Sequence, residues 1–198
     1  MYEADGLFQS DAEIQNYKND RGELLQPNAK PGDIRFKDLN GDGVINSDDR
    51  DFKGNPLPDC SMGLTLGFNY KNFDVSAFFQ GVFGNEVYNL TNYLGEFYNQ
   101  AQYNKNSTIL DAWRPDNTDT DIPRVTLDDP NNNIRPSTYY IHNASFVRLK
   151  NLKVGYTLPD KVASKLKLKR TYIYLQGQNL FTITGYDCLL YTSPSPRD

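Results

Sequence analysis

The sequence predicts an all-β fold in which antiparallel strands of the transmembrane kind are joined alternately by short turns and long loops. Three observations predict it. Successive runs alternate apolar and polar residues, the connections alternate in length, and the 198 residues include 14 Tyr, 11 Phe and 14 Gly, which favours strands and turns. No run of about 18 apolar residues is present, which predicts no transmembrane helix. A transmembrane strand needs only about 10 residues of alternating character.

The first strand pair is predicted at 61–70 and 73–80, where the alternation is clearest. One face of each run is apolar and the other is mostly small and polar. The apolar positions are Met62, Leu64, Leu66, Phe68 and Tyr70 in the first run and Phe73, Val75, Ala77 and Phe79 in the second. Lys71 and Asn72 between them predict a tight hairpin. Aliphatic residues in mid-strand with aromatic residues near the ends favour a lipid-facing band.

A second strand pair is predicted at 144–157 and 171–180, with one helical turn over 161–166 between them. Strict alternation puts Phe146, Leu152, Val154 and Tyr156 on one face of the first strand, and Val147, Leu149 and Gly155 on the other. Arg148 and Lys150 then interrupt the Phe146 face, so we expect both charges to lie outside a bilayer core or to face water. In the second strand, Ile173, Leu175 and Gly177 alternate with Tyr172, Tyr174 and Gln176.

The connections follow the order long, short, long, short. A long segment precedes Met62, a two-residue turn follows Tyr70, another long segment covers 84–140, and 158–170 is moderately short. Outer-membrane barrels have short periplasmic turns and long extracellular loops. The order therefore predicts that both long segments are extracellular. A capping box that begins at Ser10 predicts a short helix to about Tyr17 within the first of them.

The segment 38–49 matches a calcium-binding loop of the EF-hand type. Ca²⁺ prefers six to eight oxygen ligands, and alternate residues of a tight loop can direct oxygens to one centre. The predicted ligands are the side chains of Asp38, Asn40, Asp42, Asn46 and Asp49 and the carbonyl of Val44. Gly43 supplies the sharp turn. We expect a structural Ca²⁺; the alternative is an Asx- and Gly-rich turn without metal.

Two features of this loop depart from an EF-hand. Asp49 is one methylene shorter than the usual Glu, which disfavours bidentate closure, and Asp48 is a further candidate to substitute or add an oxygen. The flanks, 31–37 and 54–58, are extended or proline-rich rather than helical. The helix pair that a sensor would open is therefore absent, and we interpret the loop as a structural calcium site.

Other functional signals are weak. Trp113 is a candidate for stacking on a sugar ring, although an aromatic residue that packs within its loop is the favoured interpretation. No catalytic constellation, phosphate-binding loop or basic stretch for nucleic acid is recognisable, so we predict neither an enzyme nor a nucleic-acid partner. The polar, acidic N-terminus predicts no signal peptide. We expect 188–198 to be a non-native adapter- or vector-derived tail after a native part, 1–187; a genuine Pro/Ser tail is the alternative.

Several stretches, in matching order and spacing, resemble SusC/RagA-type TonB-dependent outer-membrane transporters. They are PGDIRFKDLNGDGVI at 31–45, DR at 49–50, GNPLPD at 54–59, NFDVSAFFQG at 72–81, WRPDN at 113–117 with IPR at 122–124, ASFVRLKNL at 144–152 with GYTLP at 155–159, and QNLFTI at 178–183. The resemblance covers 6 to about 187 and stops where the suspected tail begins.

The resemblance implies the C-terminal strands of a plugged barrel of about 22 strands. It implies import of glycan oligosaccharides or peptides across the cell outer membrane, with a SusD-like surface lipoprotein, the TonB complex and outer-membrane lipid as partners. The plug, the TonB-contacting segment and most strands would lie outside this chain. The alternative from another class is a soluble extracellular β-sandwich that carries a calcium site and binds carbohydrate. A sandwich would turn its apolar strand faces inward, whereas a barrel would turn them outward.

Overall fold

The computed structural model describes residues 1–96, 104–165, 167–169 and 171–186. Its strands are β1 Ala4–Leu7, β2 Ile34–Phe36, β3 Cys60–Tyr70, β4 Phe73–Phe83, β5 Glu86–Tyr88, β6 Ile141–Asn143, β7 Phe146–Thr157 and β8 Tyr172–Thr184. Its α-helices are α1 Asp11–Asn16, α2 Leu90–Gly95 and α3 Asp160–Lys165. The mainly β composition is as predicted. The tail at 188–198 and position 166 lie outside the described residues.

The chain divides into two units, and the division falls at β5 and β6. Unit 1 comprises 1–54 and 88–142, and unit 2 comprises 55–87 with the described residues from 143 onwards. Unit 1 therefore contains most of the two segments that the sequence predicts to be long loops. No helix in the described part of the chain is long and apolar enough to cross a membrane.

Unit 2 is a four-stranded antiparallel sheet in the order β3-β4-β7-β8. The predicted hairpin is confirmed, because β3 and β4 pair from Tyr70↔Phe73 to Cys60↔Phe83 without a register shift. Lys71 and Asn72 form the two-residue turn, in which Lys71 has a positive φ of 54°. β3 and β8 form the two edges of this sheet, so within the described residues it is open rather than closed into a barrel.

A β-bulge at Lys150 corrects the predicted faces of β7. Phe78 pairs with Asn151 whereas the next residue, Phe79, pairs with Leu149, so Lys150 is an extra residue in β7. The extra residue moves Val147 and Leu149 to the face of Leu152, Val154 and Tyr156. Phe146 and Arg148 move to the opposite, polar face, where Arg148 Nε donates a 2.8 Å hydrogen bond to Thr182 Oγ1. The prediction that Phe146 shares a face with Leu152 is therefore wrong, because strict alternation ignores an inserted residue.

With the bulge included, one face of the sheet is apolar across all its strands. From Tyr70 the cross-strand register runs through Phe73 and Tyr156 to Ile173, and from Leu66 it runs through Ala77 and Leu152 to Gly177. Many of the large side chains of this face are exposed, for example Phe68 at 65% and Leu175 at 79%, whereas Leu149 is buried. The opposite face carries mainly Ser, Thr, Asn, Gln, Lys and Tyr side chains. The sheet of unit 2 thus has one apolar face, which is largely exposed, and one polar face.

Unit 1 has a small core of its own, built from residues far apart in the sequence. β1 and β2 form a two-stranded antiparallel sheet. Their inward residues pack with two aromatic residues of the second long segment: the buried cluster is Leu7, Ile34, Phe36, Trp113 and Tyr140. The predicted helix α1 is confirmed, and Ser10 Oγ accepts the hydrogen bond of Glu13 N at its N-terminus. These segments therefore fold against each other rather than remaining separate loops.

Candidate metal centre

The loop 38–49 follows β2 in unit 1, and its alternate side chains fold back onto its own backbone. Asp38 accepts from Gly41 N at 2.7 Å and from Gly43 N at 2.8 Å. Asn40 Oδ1 accepts from Asp42 N, and Asp42 Oδ1 accepts from Val44 N, both at 2.9 Å. These bonds give the tight, repeated turns that direct side-chain oxygens of positions 38, 40 and 42 towards the inside of the loop.

Asp49 ties the end of the loop to its beginning. Its carboxylate is fully buried. Oδ2 accepts from Asn46 N at 2.7 Å, and Oδ1 accepts from Leu39 N at 2.8 Å and from Asn40 N at 3.4 Å. An ionised carboxylate has about four acceptor sites. Three backbone donors occupy most of them, so Asp49 has capacity left for a single bond to a cation rather than for bidentate ligation.

The remaining oxygens meet around the side chain of Asn46. Its Nδ2 lies 3.4 Å from both Asp42 Oδ2 and Val44 O, and Asn40 Nδ2 also donates to Asp42 Oδ2, at 3.0 Å. The hydrogen-bond donors in these contacts are thus side-chain amide groups. A cation bound here would replace those amide donors and take the same oxygens. The hydrogen bonds donated by Val44 N and Asn40 lower the pKa of Asp42, which keeps its carboxylate ionised.

The donor set of this loop fits a hard cation. Across the described residues, no three His, Cys, Asp or Glu side chains converge tightly enough to hold a metal ion by themselves. A cation in the loop would therefore depend on the amide oxygens of Asn40 and Asn46 and on the Val44 carbonyl as well as on carboxylates. Neutral oxygen donors of this type suit Ca²⁺ and do not suit zinc, which prefers nitrogen and sulfur.

A cleft of about 310 Å³ opens beside the loop and is lined by Asp38 and Asp42 on one side and by Asn19 and Arg21 on the other. Asn19 Nδ2 donates to Gly43 O at 3.1 Å, which joins the two sides, and also donates to Glu23 Oε2 at 3.1 Å. Gly43 has a φ of +87°, and a Cβ there would lie 2.8 Å from Asn19 Nδ2. Glycine at this position therefore serves both the turn and the contact with Asn19.

Trp113 lies in the core of unit 1, with 8% of its surface exposed. Its Nε1 donates to Gln9 Oε1 at 2.8 Å, and its backbone N donates to Ile122 O at 2.9 Å. The ring packs on Gly32, where a Cβ would lie 2.5 Å from Trp113 Cε3. Trp113 thus packs within unit 1, which is the interpretation favoured from the sequence. Little of its ring is accessible to a sugar.

Beside Trp113, a buried polar network centres on Asp33, which is fully buried. Arg124 donates to both of its carboxylate oxygens, Nε at 2.6 Å and Nη2 at 3.1 Å. Asn133 Nδ2 donates to Oδ1 at 2.9 Å, and Lys30 N donates to Oδ2 at 2.8 Å. The network continues through Asn131 to Gln26. It joins the segment before the calcium-type loop to the second long segment.

Ion pairs join Glu3, the residue before β1, to Lys37, the residue after β2, and to Lys53. Lys37 Nζ and Lys53 Nζ lie 2.6 Å and 2.9 Å from the carboxylate oxygens of Glu3. The hydrogen bonds from Lys37 and Lys53 lower the pKa of Glu3 to about 2. Ion pairs at such an exposed surface contribute little to stability because water screens them.

The chain is similar in sequence to three receptors of known class. It is 40% identical to TonB-dependent receptor P3 of Formosa agariphila over 162 residues, and 35% identical to TonB-dependent receptor P26 of that organism over 175 residues. It is 31% identical over 170 residues to TonB-dependent receptor SusC of Bacteroides thetaiotaomicron. These matches cover 82%, 88% and 83% of the chain. The chain is homologous to TonB-dependent receptors of the SusC/RagA type.

Solved structures of the RagAB peptide transporter share the fold with this SusC/RagA homologue. One superposes with a TM-score of 0.67 at 26% identity, and the RagAB peptide importer in its closed-closed state superposes with 0.65 at 27%. Each match covers 94% of the chain but 19% of the solved chain. The chain likewise spans 16%, 17% and 16% of the length of the three receptors. No family model matches the chain.

Proposed function

We propose that the chain is the C-terminal part of an outer-membrane importer of the TonB-dependent class. In this proposal unit 2 supplies strands of a barrel of about 22 strands, and unit 1 is built from its extracellular loops. The exposed apolar face of β3, β4, β7 and β8 carries the proposal. Because the β7 bulge keeps this face apolar despite Arg148 and Lys150, the sheet has the two-sided character of a barrel wall.

The relatives support a proposal about the substrate class and the partners of the parent protein. The parent protein imports glycan oligosaccharides or peptides with a SusD-like lipoprotein lid and draws energy from the TonB complex. The RagAB structures are described as those of a peptide importer, and SusC is named as a TonB-dependent receptor. Trp113 is buried, so the aromatic residue that the sequence offered for sugar stacking does not favour glycan over peptide.

The alternative, a soluble calcium-stabilised β-sandwich that binds carbohydrate, is less well supported. A sandwich buries the facing sides of two sheets. In unit 2, Leu64 and Leu66 are 55% and 53% exposed and Phe73 is 53% exposed. Apolar side chains exposed in this number mark a surface that needs a partner, and a barrel wall provides lipid as that partner.

Tryptophan quenching by brominated lipid tests which face contacts lipid. In a Trp113→Phe background, we expect tryptophan at Leu66 to be quenched in vesicles of brominated phosphatidylcholine. Tryptophan at Thr65, the adjacent position on the polar face, serves as the matched control and should keep its fluorescence. Equal quenching at the two positions would contradict a barrel wall.

The behaviour of the chain in plain buffer is a second test. A monodisperse, cooperatively unfolding chain would contradict a barrel wall as well, because the open sheet edges and apolar face should require detergent.

We also propose that 38–49 binds one structural Ca²⁺ through Asp38, Asn40, Asp42, Asn46, Asp49 and the Val44 carbonyl. The support is the inward folding of alternate side chains and the oxygen-rich contacts around Asn46. Bound Ca²⁺ would hold the loop against the Asn19 turn and thereby stabilise unit 1. The loop ends in the short 3₁₀ helix Ser47–Asp49, which contains the last proposed ligand and is too short to open as a sensor helix does; we therefore propose a structural role for the site.

Calorimetric titration of the purified chain with Ca²⁺ after chelation tests this site. We expect one binding event, and we expect Asp42→Asn to weaken it at least about tenfold because the number of carboxylates sets the affinity of such loops. Asp20→Asn removes a charge beside the cleft but outside the ligand set, and should leave binding within about twofold. Absence of binding, or equal losses in both variants, would show that the loop is a metal-free turn.

A further inference from the structure

The end of the sheet that carries both short connections is rich in lysine. Lys71 lies in the β3–β4 turn, and the β7–β8 connection contributes Lys161, Lys165, Lys167 and Lys169. The two connections lie side by side, since Thr157 N, at the end of β7, donates to Asn72 O of the β3–β4 turn at 2.8 Å. We call these five lysines the basic rim.

The basic rim is exposed and weakly compensated. All five lysines are exposed, and none takes part in an ion pair found among the described residues. Asp160 is the acidic residue of the described part of these two connections. The whole chain has a net charge of −4, so a positive cluster at one end of the sheet runs against the overall balance. Its composition favours a partner with negative charge.

Aromatic residues of the apolar face adjoin the rim. Phe68 and Tyr70 stack with ring centroids 6.5 Å apart, and Phe73 and Tyr156 lie 4.5 Å apart on the neighbouring strands. Lys71 Nζ lies 5.2 Å from the centroid of the Tyr70 ring. A band of aromatic residues next to lysines is typical of the boundary between hydrocarbon and lipid headgroups, where rings sit at headgroup level and lysines extend into water.

We propose that the basic rim binds the phosphate groups of anionic phospholipids in the leaflet that faces the short connections. The inference rests on the proposed function, because it requires the apolar face to contact lipid. The aromatic band sets the depth of the sheet end, and the lysines then meet the headgroup phosphates. Several lysines close to a negative surface act together and are screened by salt. The rim would thus anchor one end of the barrel wall to anionic lipid.

Vesicle flotation of the full chain, transferred from detergent, tests the proposal. We compare vesicles of phosphatidylcholine with vesicles in which one third is phosphatidylglycerol. The chain should partition into both, with about tenfold preference for the anionic vesicles at low salt that declines as NaCl is raised. The combined variant Lys161→Gln, Lys165→Gln, Lys167→Gln and Lys169→Gln should lose most of this preference and keep its binding to phosphatidylcholine.

The matched control changes the same number of exposed cations in unit 1: Lys18→Gln, Arg21→Gln, Lys30→Gln and Arg50→Gln. It should keep the full preference. Equal partition of the unsubstituted chain into the two vesicle types, or a preference that survives in the rim variant, would overturn the rim proposal alone. Failure to partition into either vesicle would instead overturn the proposed function. Competition by inorganic phosphate beyond that of NaCl at equal ionic strength would show a site for the free anion and would also overturn the lipid proposal.

Discussion

Replacing Arg124 by leucine is expected to destabilise unit 1 by about 3–5 kcal/mol, because it leaves the Asp33 carboxylate buried without its counter-charge. Asp33 is fully buried, and only 20% of the Arg124 side chain is exposed. The two-point contact at 2.6 Å and 3.1 Å is the geometry in which Arg holds a carboxylate most strongly. Asn133 and Lys30 N would still donate to Asp33, but neither carries a positive charge.

Urea unfolding in non-ionic detergent, followed by tryptophan fluorescence, measures this effect. The chain has one Trp, and Trp113 lies in the core of unit 1, so the signal reports on this unit. Arg114→Leu is the matched control, since its pair with Asp116 is 3.3 Å long and exposed on both sides, and it should cost less than about 1 kcal/mol. Adding Asp33→Asn to Arg124→Leu should restore part of the loss. Equal effects of the two arginine substitutions would show that water reaches Asp33.

The strand pairs were predictable because their signal is local. β3 and β4 alternate over their whole length and meet at a two-residue turn, so periodicity alone gives their faces and register. The predicted faces of β7 were wrong in its first part for a physical reason: one inserted residue reverses the face of every residue before it. The sequence did contain a sign of the insertion, since Arg148 and Lys150 fell on a face that was otherwise apolar. Two charges on one predicted apolar face indicate either a water-facing stretch or a bulge.

Unit 1 was not predictable in the same way. Its elements are short strands and single helical turns, too short for periodicity to show a buried face. Its core depends on contacts between residues about a hundred positions apart, such as the bond from Trp113 Nε1 to Gln9. The Asn- and Asp-rich segment that includes Asn131 and Asn133 resembles a solvated loop in the sequence, yet these side chains are buried acceptors and donors.

The calcium-type loop also combines contacts between near neighbours, which a sequence pattern can indicate, with contacts between residues further apart, which it cannot. Alternation of oxygen-bearing residues over 38–46 predicts which side chains turn inward, and in the structure Asn40 and Asp42 accept hydrogen bonds from the backbone of their own loop. The role of Asp49 depends on the return of the chain to Leu39 and Asn40, which the pattern does not encode. The shorter side chain of Asp at this position suits a carboxylate that binds backbone N–H groups across the loop.

Replacing Gly32 by alanine is expected to destabilise unit 1 by about 2–5 kcal/mol. Two causes add: a non-glycine residue in the left-handed region costs roughly 1–2 kcal/mol, and overpacking a tight contact costs about 1–3 kcal/mol. Gly32 has a φ of +88°, and its Cβ would lie 2.5 Å from Trp113 Cε3 and 2.8 Å from Arg124 Cβ. The backbone cannot move aside easily, since Gly32 N donates to Phe8 O and Gly32 O accepts from Arg124 N.

Gly22→Ala separates the two causes. Gly22 has a φ of +81° with nothing within 4 Å of its Cβ position, so alanine there meets the backbone strain without the contact. We therefore expect a loss of about 1–2 kcal/mol for Gly22→Ala in the same urea experiment, and the excess for Gly32→Ala measures the packing of Trp113 on this glycine. Equal losses would mean that the Trp113 ring moves away at little cost. A mobile ring of that kind would return Trp113 to consideration as a ligand-stacking residue, because a side chain that leaves the core readily could also become exposed to a sugar.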